Sequence, residues 1–317
     1  MRILVTGAGG FVGWHLTGTL LAAGHRVVAA SRQSFDSPGP DPGPEAALVF
    51  DLGDPEPVRG VVAEWAPDAV IHLAAQASVQ RSWQDPVDTY RSNIAGAGNL
   101  FEALRPRPAT RVLLVGSAQV YGDAAAGHRL TETDPLRPRS PYAVSKIAQE
   151  LVGDLYHREL GMPVVKARSF NHTGPGQSDE YAVGSFASQV AAIEAGSRPP
   201  RLEVGRLDTV RDFLDVRDVC EAYRMLIERG EPGEAYNVCS GRGVRIGDLL
   251  QMLLDAAGLA SGVEVVETAP PRAGDPGALV GDNTRIRTTV GWEPRIPIEQ
   301  SLADALDWYR ARRVRPV

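Results

Sequence analysis

Apolar residues follow two spacings in the first half of the chain. Short runs rich in β-branched residues at Arg2 to Thr6, Arg26 to Ala30, Ala47 to Phe50, Ala69 to Leu73, Arg111 to Gly116 and Pro163 to Ser169 read as strands. Between them, apolar positions three and four apart predict helices over Phe11 to Ala23, Pro55 to Trp65, Pro86 to Leu104 and Tyr142 to Leu160. Strand and helix alternating in this way build right-handed βαβ units. The expected fold is therefore α/β, a Rossmann-type doubly wound parallel sheet with a smaller α/β lobe. Beyond residue 170 the pattern loosens into Pro/Gly-rich stretches, a few helices and short strands. Residues 1–169 are expected to form the first domain and 170–317 mainly the second lobe. Phe213 to Val216 and Ala235 to Val238 read as strands returning to the first domain near 211–240. Asp36 to Pro44, with Pro at every second position from Pro38, reads as an extended surface loop. No internal repeat or heptad pattern interrupts this order.

A length of 317 residues fits about two domains and a full core. Hydrophobic residues at 43% and charged residues at 23% exclude a disordered or fibrous chain. The net charge is 33 − 39 = −6 with the charges scattered, so no clustered basic surface exists to bind nucleic acid. Two cysteines, Cys220 and Cys239, stand outside any CxxC or Cys/His spacing, which argues against a disulfide framework or a metal site. The chain starts directly in a strand, and no run approaches the ~18 apolar residues of a membrane span. A cytoplasmic protein without membrane contact is the expectation. The basic residues are 31 Arg and two Lys, Lys146 and Lys166. That imbalance gives weight to any lysine found in a chemical context.

The first strand runs into Thr6-Gly7-Ala8-Gly9-Gly10-Phe11-Val12-Gly13, which opens the first helix. Gly7, Gly10 and Gly13 suit a tight turn, a close approach of pyrophosphate and tight helix packing, while the helix start around Phe11 and Val12 offers free N–H groups to the phosphates. The GxxGxxG spacing after a first strand points to a dinucleotide cofactor. An acid usually ends the second strand in NAD binders to hold the ribose hydroxyls; here stand Ser31-Arg32, and a guanidinium there suits a 2′-phosphate. NADP(H) or NAD(H) is the expected cofactor. Asp51-Leu52 is placed to touch adenine, and Leu73-Ala74-Ala75 to let the backbone approach the nicotinamide half. His72 reads as a packed strand residue. Tyr142-Ala143-Val144-Ser145-Lys146 sets a phenol and an ammonium four apart on one helix face. A free phenol titrates near ~10, and a neighbouring cation favours its phenolate, so Tyr142 serves as acid or base while Lys146 tunes it and holds ribose hydroxyls. Ser117, at the end of the fifth strand, faces the crevice where such sheets bind ligands and can donate to a substrate carbonyl.

Together these residues resemble the extended short-chain dehydrogenase/reductase family of nucleotide-sugar epimerases, dehydratases and reductases. The resemblance runs on through Arg168 to Gly176, Val210 to Asp218, Tyr236 to Gly241 and Gly281-Asp282-Asn283. The second lobe is most similar to reductases of GDP-4-dehydro-6-deoxy-D-mannose, with GDP-mannose 4,6-dehydratases next. It implies an NAD(P)-dependent oxidoreductase acting on a nucleotide-diphosphate sugar, with Asn171, Arg211 and Arg272 on the diphosphate, Gln76 and Ser117 near the sugar, and helix pairing into a homodimer. The dehydratases carry an acid where this chain has Gln119, an amide that cannot take a proton from carbon. Arg206 stands where GDP-sugar relatives often have Asn, and Asp275 where they often have Glu. The activity expected is NAD(P)H-dependent reduction of a 4-keto-6-deoxyhexose, GDP-4-dehydro-6-deoxy-D-mannose to GDP-D-rhamnose. The alternatives are a nucleotide-sugar 4-epimerase, then the dehydratase and a non-catalytic NAD(P) sensor.

Overall fold

The computed structural model describes residues 1–35, 43–125, 127–268 and 277–313. Arg272, Asp275 and most of the Asp36 to Pro44 loop lie outside the described residues.

In chain order the first part comprises β1 (Arg2–Thr6), α1 (Phe11–Ala22), β2 (Arg26–Ser31), β3 (Ala46–Val49), α2 (Pro55–Trp65), β4 (Ala69–His72), α3 (Val79–Gln84), α4 (Pro86–Tyr90), α5 (Gly96–Leu104), β5 (Arg111–Val115), α6 (Pro141–Leu160) and β6 (Val164–Ser169). There follow β7 (Asn171–Thr173), α7 (Ala182–Glu194), β8 (Arg201–Val204), β9 (Val210–Asp215), α8 (Val216–Arg229), β10 (Ala235–Val238), β11 (Gly243–Arg245), α9 (Ile246–Ala256), β12 (Glu264–Glu267), β13 (Ala278–Leu279), α10 (Thr284–Val290) and α11 (Ile298–Arg313). Local chemistry sets these bounds. Asp54 caps α2 by accepting from Glu56 N at 3.2 Å, with Pro55 at the first helical position. Ser140 caps α6 through Ala143 N at 3.1 Å, and Gly161, at φ 68°, ends it.

A parallel seven-stranded sheet runs in the order β10-β6-β5-β4-β1-β2-β3. One face packs Ile3, Val5, Ile71 and Leu113 against α1 and α8, and the other packs Leu4, Val70, Val112 and Leu114 against α2, α5 and α6. The strand order reverses direction between β1 and β4, and there a doubly wound sheet opens its ligand crevice. The second lobe has its own core of Phe186, Val190, Leu249, Leu253 and Leu302 between α7, α9 and α11.

Two expectations need correction. The strand expected to return at Phe213 to Val216 does not join the main sheet: β9 pairs with β7, β11 and β13. On β9 the fully buried carboxylate of Asp212 accepts from Ser240 N (2.7 Å), Ser240 Oγ (2.7 Å), Gly241 N (2.9 Å) and Gly281 N (3.2 Å), on the segments that follow β10 and β13, and these bonds help hold β9 beside β11 and β13. The return is made by α8, which packs on α1, and by β10 at the sheet edge. The helix expected over Pro86 to Leu104 is also not uniform. It passes through a wider i→i+5 turn at Arg91–Ala95, a form often found near functional sites.

Candidate active site

A cavity of about 880 Å³ opens at the switch point and is walled by both lobes. On its first-lobe side the glycines divide their tasks. Gly7 has φ +78°, and a Cβ there would lie 2.7 Å from Ala74 N. At Gly13 a Cβ would come within 2.3 Å of Gly7 O. Both positions are demanded by the protein's own backbone. At Gly10 the nearest atom stands 3.4 Å away, so the absence of a side chain there leaves room toward the cavity rather than toward the protein. Gly10 also begins α1 with no side-chain cap, and the N–H groups of Phe11 and Val12 are left for a phosphate. The cradle therefore fits a dinucleotide pyrophosphate. Gly9 adds a constraint the spacing did not reveal: its Cβ would strike Ser31 Oγ at 2.7 Å.

Ser31, Arg32, Asp51, Leu52, Leu73, Ala74 and Ala75 all line this cavity. Arg32 is exposed and forms no ion pair among the described residues. Asp51 accepts from Gly53 N at 2.8 Å. His72 is buried and shares a 2.8 Å hydrogen bond with Thr6 Oγ1; burial, helped by the Lys146 charge, pushes it down to about 3 and keeps it neutral. It is a packed strand residue, as read.

Ser117, Tyr142 and Lys146 meet at the cavity floor. β5 ends at Val115, which brings Ser117 to the crevice, and α6 carries Tyr142 and Lys146 on its inward face. The Ser117 hydroxyl lies beside Tyr142 and favours its ionised form. Burial pushes the Tyr142 phenol up to about 12, partly offset by Ser117, with Tyr181 across the cavity opposing ionisation as well. The expected lowering by Lys146 is absent in the chain alone. Burial instead pushes Lys146 down to about 8, while Glu150 favours its charge. Desolvation outweighs the neighbouring cation, so at neutral pH Tyr142 is a protonated phenol and an acid ready to donate.

The wide turn at Arg91–Ala95 supplies a residue that the motifs missed. It carries Asn93, fully buried, which accepts from Gln76 N at 2.7 Å and donates to Gln76 O at 3.1 Å and to Ser145 Oγ at 2.8 Å. Ser145 in turn donates to Tyr142 O at 2.7 Å, so Asn93 ties α6 to the loop after β4. Gln76 reaches the cavity wall, but its amide is committed to Ser78 O and Ser78 N of that loop and to Thr89 Oγ1 on α4. On the floor, Ser169 and Tyr223 share a 2.5 Å hydrogen bond. Neither was legible as a site residue, because their contact joins β6 to α8, 54 residues apart in the chain.

On the second-lobe side Asn171, Arg206 and Arg211 line the cavity. Arg211 is buried and donates to Val210 O at 2.8 Å and Gly277 O at 3.4 Å. Gln119 stands on the short turn Ala118–Tyr121 at the same wall as Ser117. No group of three or more His, Cys, Asp or Glu among the described residues could hold a metal, and no helix among them is long and apolar enough to cross a membrane.

Residues 4–305 match the family model described as GDP-mannose 4,6 dehydratase. The chain is 40% identical over 311 residues to GDP-6-deoxy-D-mannose reductase of Pseudomonas aeruginosa, with 97% of each covered. Its fold is similar to the structure of RMD from Pseudomonas aeruginosa complexed with NADPH, at a TM-score of 0.85 and 38% identity over 98% of this chain and 99% of that one. It is also similar to UDP-glucose 4-epimerase of Thermus thermophilus in complex with NAD, at a TM-score of 0.88 and 33% identity over 98% of this chain and 99% of that one.

Proposed function

The chain belongs to the GDP-mannose 4,6-dehydratase family of extended short-chain dehydrogenase/reductases, and from that premise we propose that it reduces the 4-keto group of GDP-4-dehydro-6-deoxy-D-mannose to give GDP-D-rhamnose. It is an NAD(P)-dependent oxidoreductase. The carrying observation is a buried Tyr142, its phenol pushed up to about 12, beside Ser117 on a wall where Gln119 offers no titratable group. When bound, NAD(P)H supplies the hydride that goes to C4. Tyr142 gives its proton to the developing alkoxide at O4, and Ser117 stabilises that oxygen. Lys146 holds the cofactor ribose, and the Gly7 to Gly13 loop receives the pyrophosphate. Asn171 and Arg211, with Arg272, hold the substrate diphosphate through charge-assisted hydrogen bonds. The reading is tested by supplying the 4-keto-6-deoxy sugar and measuring whether one NADPH disappears per sugar reduced.

At the adenosine end, Ser31 presents no carboxylate to repel a 2′-phosphate and Arg32 has no competing ion partner among the described residues. NADPH is therefore expected to be used at least as well as NADH. Arg32→Ala should cut the NADPH/NADH ratio of kcat/KM by roughly tenfold, about the worth of one charge-assisted contact. An unchanged ratio would remove Arg32 from cofactor choice.

Val87 on α4 and Val144, Leu151 and Leu155 on α6 are exposed, and the three α6 residues at spacings of seven and four share one helix face. An apolar stripe of this kind on packed neighbouring helices supports a homodimer formed through them. Sedimentation should give twice the chain mass, and a monomer at micromolar concentration would refute the pairing. The same reading puts the enzyme in the cytoplasm, which cell fractionation checks.

A further inference from the structure

Lys146 Nζ has three N–H bonds to place, and the fold accounts for two. One goes to Val115 O at 2.8 Å, at the end of β5, and another to Gln149 Oε1 at 3.0 Å, almost one turn further along α6. Lys146 is 3% exposed and Gln149 1%, so bulk water cannot take over either bond. The nearest acid is already committed. Glu150 holds Arg168 with both carboxylate oxygens, through Nε at 3.1 Å and Nη2 at 2.8 Å, and acts on Lys146 only through its charge. Gln149 is thus the one side chain among the described residues that hydrogen-bonds this ammonium. Its amide also has a defined sense. Nε2 is buried with no partner among the described residues. Turning the amide over would give Nε2 no acceptor, because an ammonium has only donors. An unmade buried bond is tolerated because the oxygen is needed where it stands.

We infer that Gln149 is a positioning residue that keeps Lys146 in its ammonium form and, with Val115, directs the remaining N–H of Nζ toward the cavity. The inference rests on the reading of Lys146 as the ribose-holding residue. Two fixed acceptors on a tetrahedral group stop free rotation about the Cε–Nζ bond and set the direction of the third hydrogen. Burial drives the Lys146 ammonium down to about 8 even with the Glu150 carboxylate favouring its charge. A neutral acceptor opposes that drift without adding a second negative charge beside Glu150 in a cavity that receives a diphosphate.

With only two lysines in the chain, protein labelled with ¹³C at the lysine ε-carbon shows two titrating signals, assigned with Lys166→Arg. In the cofactor-free protein, Gln149→Met, similar in length but without an acceptor, should lower the Lys146 midpoint by about one pH unit, a tenfold loss of proton affinity. NADPH binding, followed by fluorescence at pH 8, should weaken several-fold in the same variant. Gln149→Glu should return the midpoint to the wild-type value or above, which a purely space-filling role for Gln149 does not predict. A Lys146 midpoint that stays put in Gln149→Met overturns the inference, as does failure of Gln149→Glu to restore it. Lys146→Met keeps the two readings apart: wild-type NADPH affinity there would defeat the ribose-holding role of Lys146, while the midpoints of the Gln149 variants would still decide what Gln149 does to the ammonium.

Discussion

Replacing Tyr142 by Phe should lower kcat for the NADPH-dependent reduction by ~10²- to 10⁴-fold while leaving the NADPH dissociation constant unchanged. Phe keeps the buried ring and removes only the hydroxyl beside Ser117. The size of the loss follows from the state of the phenol. Burial holds it protonated, up to about 12, so at neutral pH it has a proton to give and no competing phenolate population. Ser117 can still polarise the carbonyl in the variant, which is why a residual rate remains. The pH dependence separates the neighbours. Lys146 titrates near 8 in the free protein, so kcat/KM for NADPH should fall as pH rises through that value and the ammonium is lost. Tyr142 titrates far above, and the same alkaline limb should persist in Tyr142→Phe. Full turnover in the variant would take Tyr142 out of the mechanism, and loss of the limb would assign it to Tyr142 rather than Lys146.

How far the sequence reveals this site depends on whether the chemistry is local. The glycine loop, the helix over Pro55 to Trp65 and the Tyr142/Lys146 pair each follow from residues within a few turns of one another, and each stands where the spacing puts it. Composition added leverage, since a lysine in a chain that otherwise uses arginine is conspicuous. The features that escaped depend on contacts across many residues. Asn93 matters because a wide turn on the helix after β4 sets it against Gln76 and against Ser145, 52 residues away. The place of β9 outside the main sheet goes with bonds of Asp212 to backbone N–H groups at 240, 241 and 281, far along the chain. Periodicity measures burial along one element and contains no information on which neighbour buries it. The sign of the Tyr142 shift failed for a related reason. Spacing showed a cation nearby but not how completely both groups are removed from water, and desolvation is the larger effect.

The reaction type turns on Gln119. Elimination across C5 and C6 needs a side chain that can remove a proton from C5 and deliver one to the departing hydroxyl, and it must stand by the sugar opposite the hydride path. The turn after Ser117 is the place from which such a group would act, and there the chain presents an amide that neither gains nor loses a proton at any pH the protein meets. Ser117, Tyr142 and Lys146 serve reductase, epimerase and dehydratase alike, so they cannot discriminate among these relatives. Incubation of GDP-mannose with NADP⁺ should therefore yield no 4-keto-6-deoxy product, whereas the preformed 4-keto-6-deoxy sugar should consume one NADPH per sugar and end as the 4-hydroxyl product. A 4-epimerase returns the hydride within the same turnover, so it would interconvert C4 epimers with no net change in absorbance of the reduced cofactor. Stoichiometric loss of NADPH absorbance with identification of the product separates the three outcomes. Dehydration of GDP-mannose by the wild-type chain would place a competent acid and base elsewhere on the cavity wall, and the role assigned to Gln119 would fall with it.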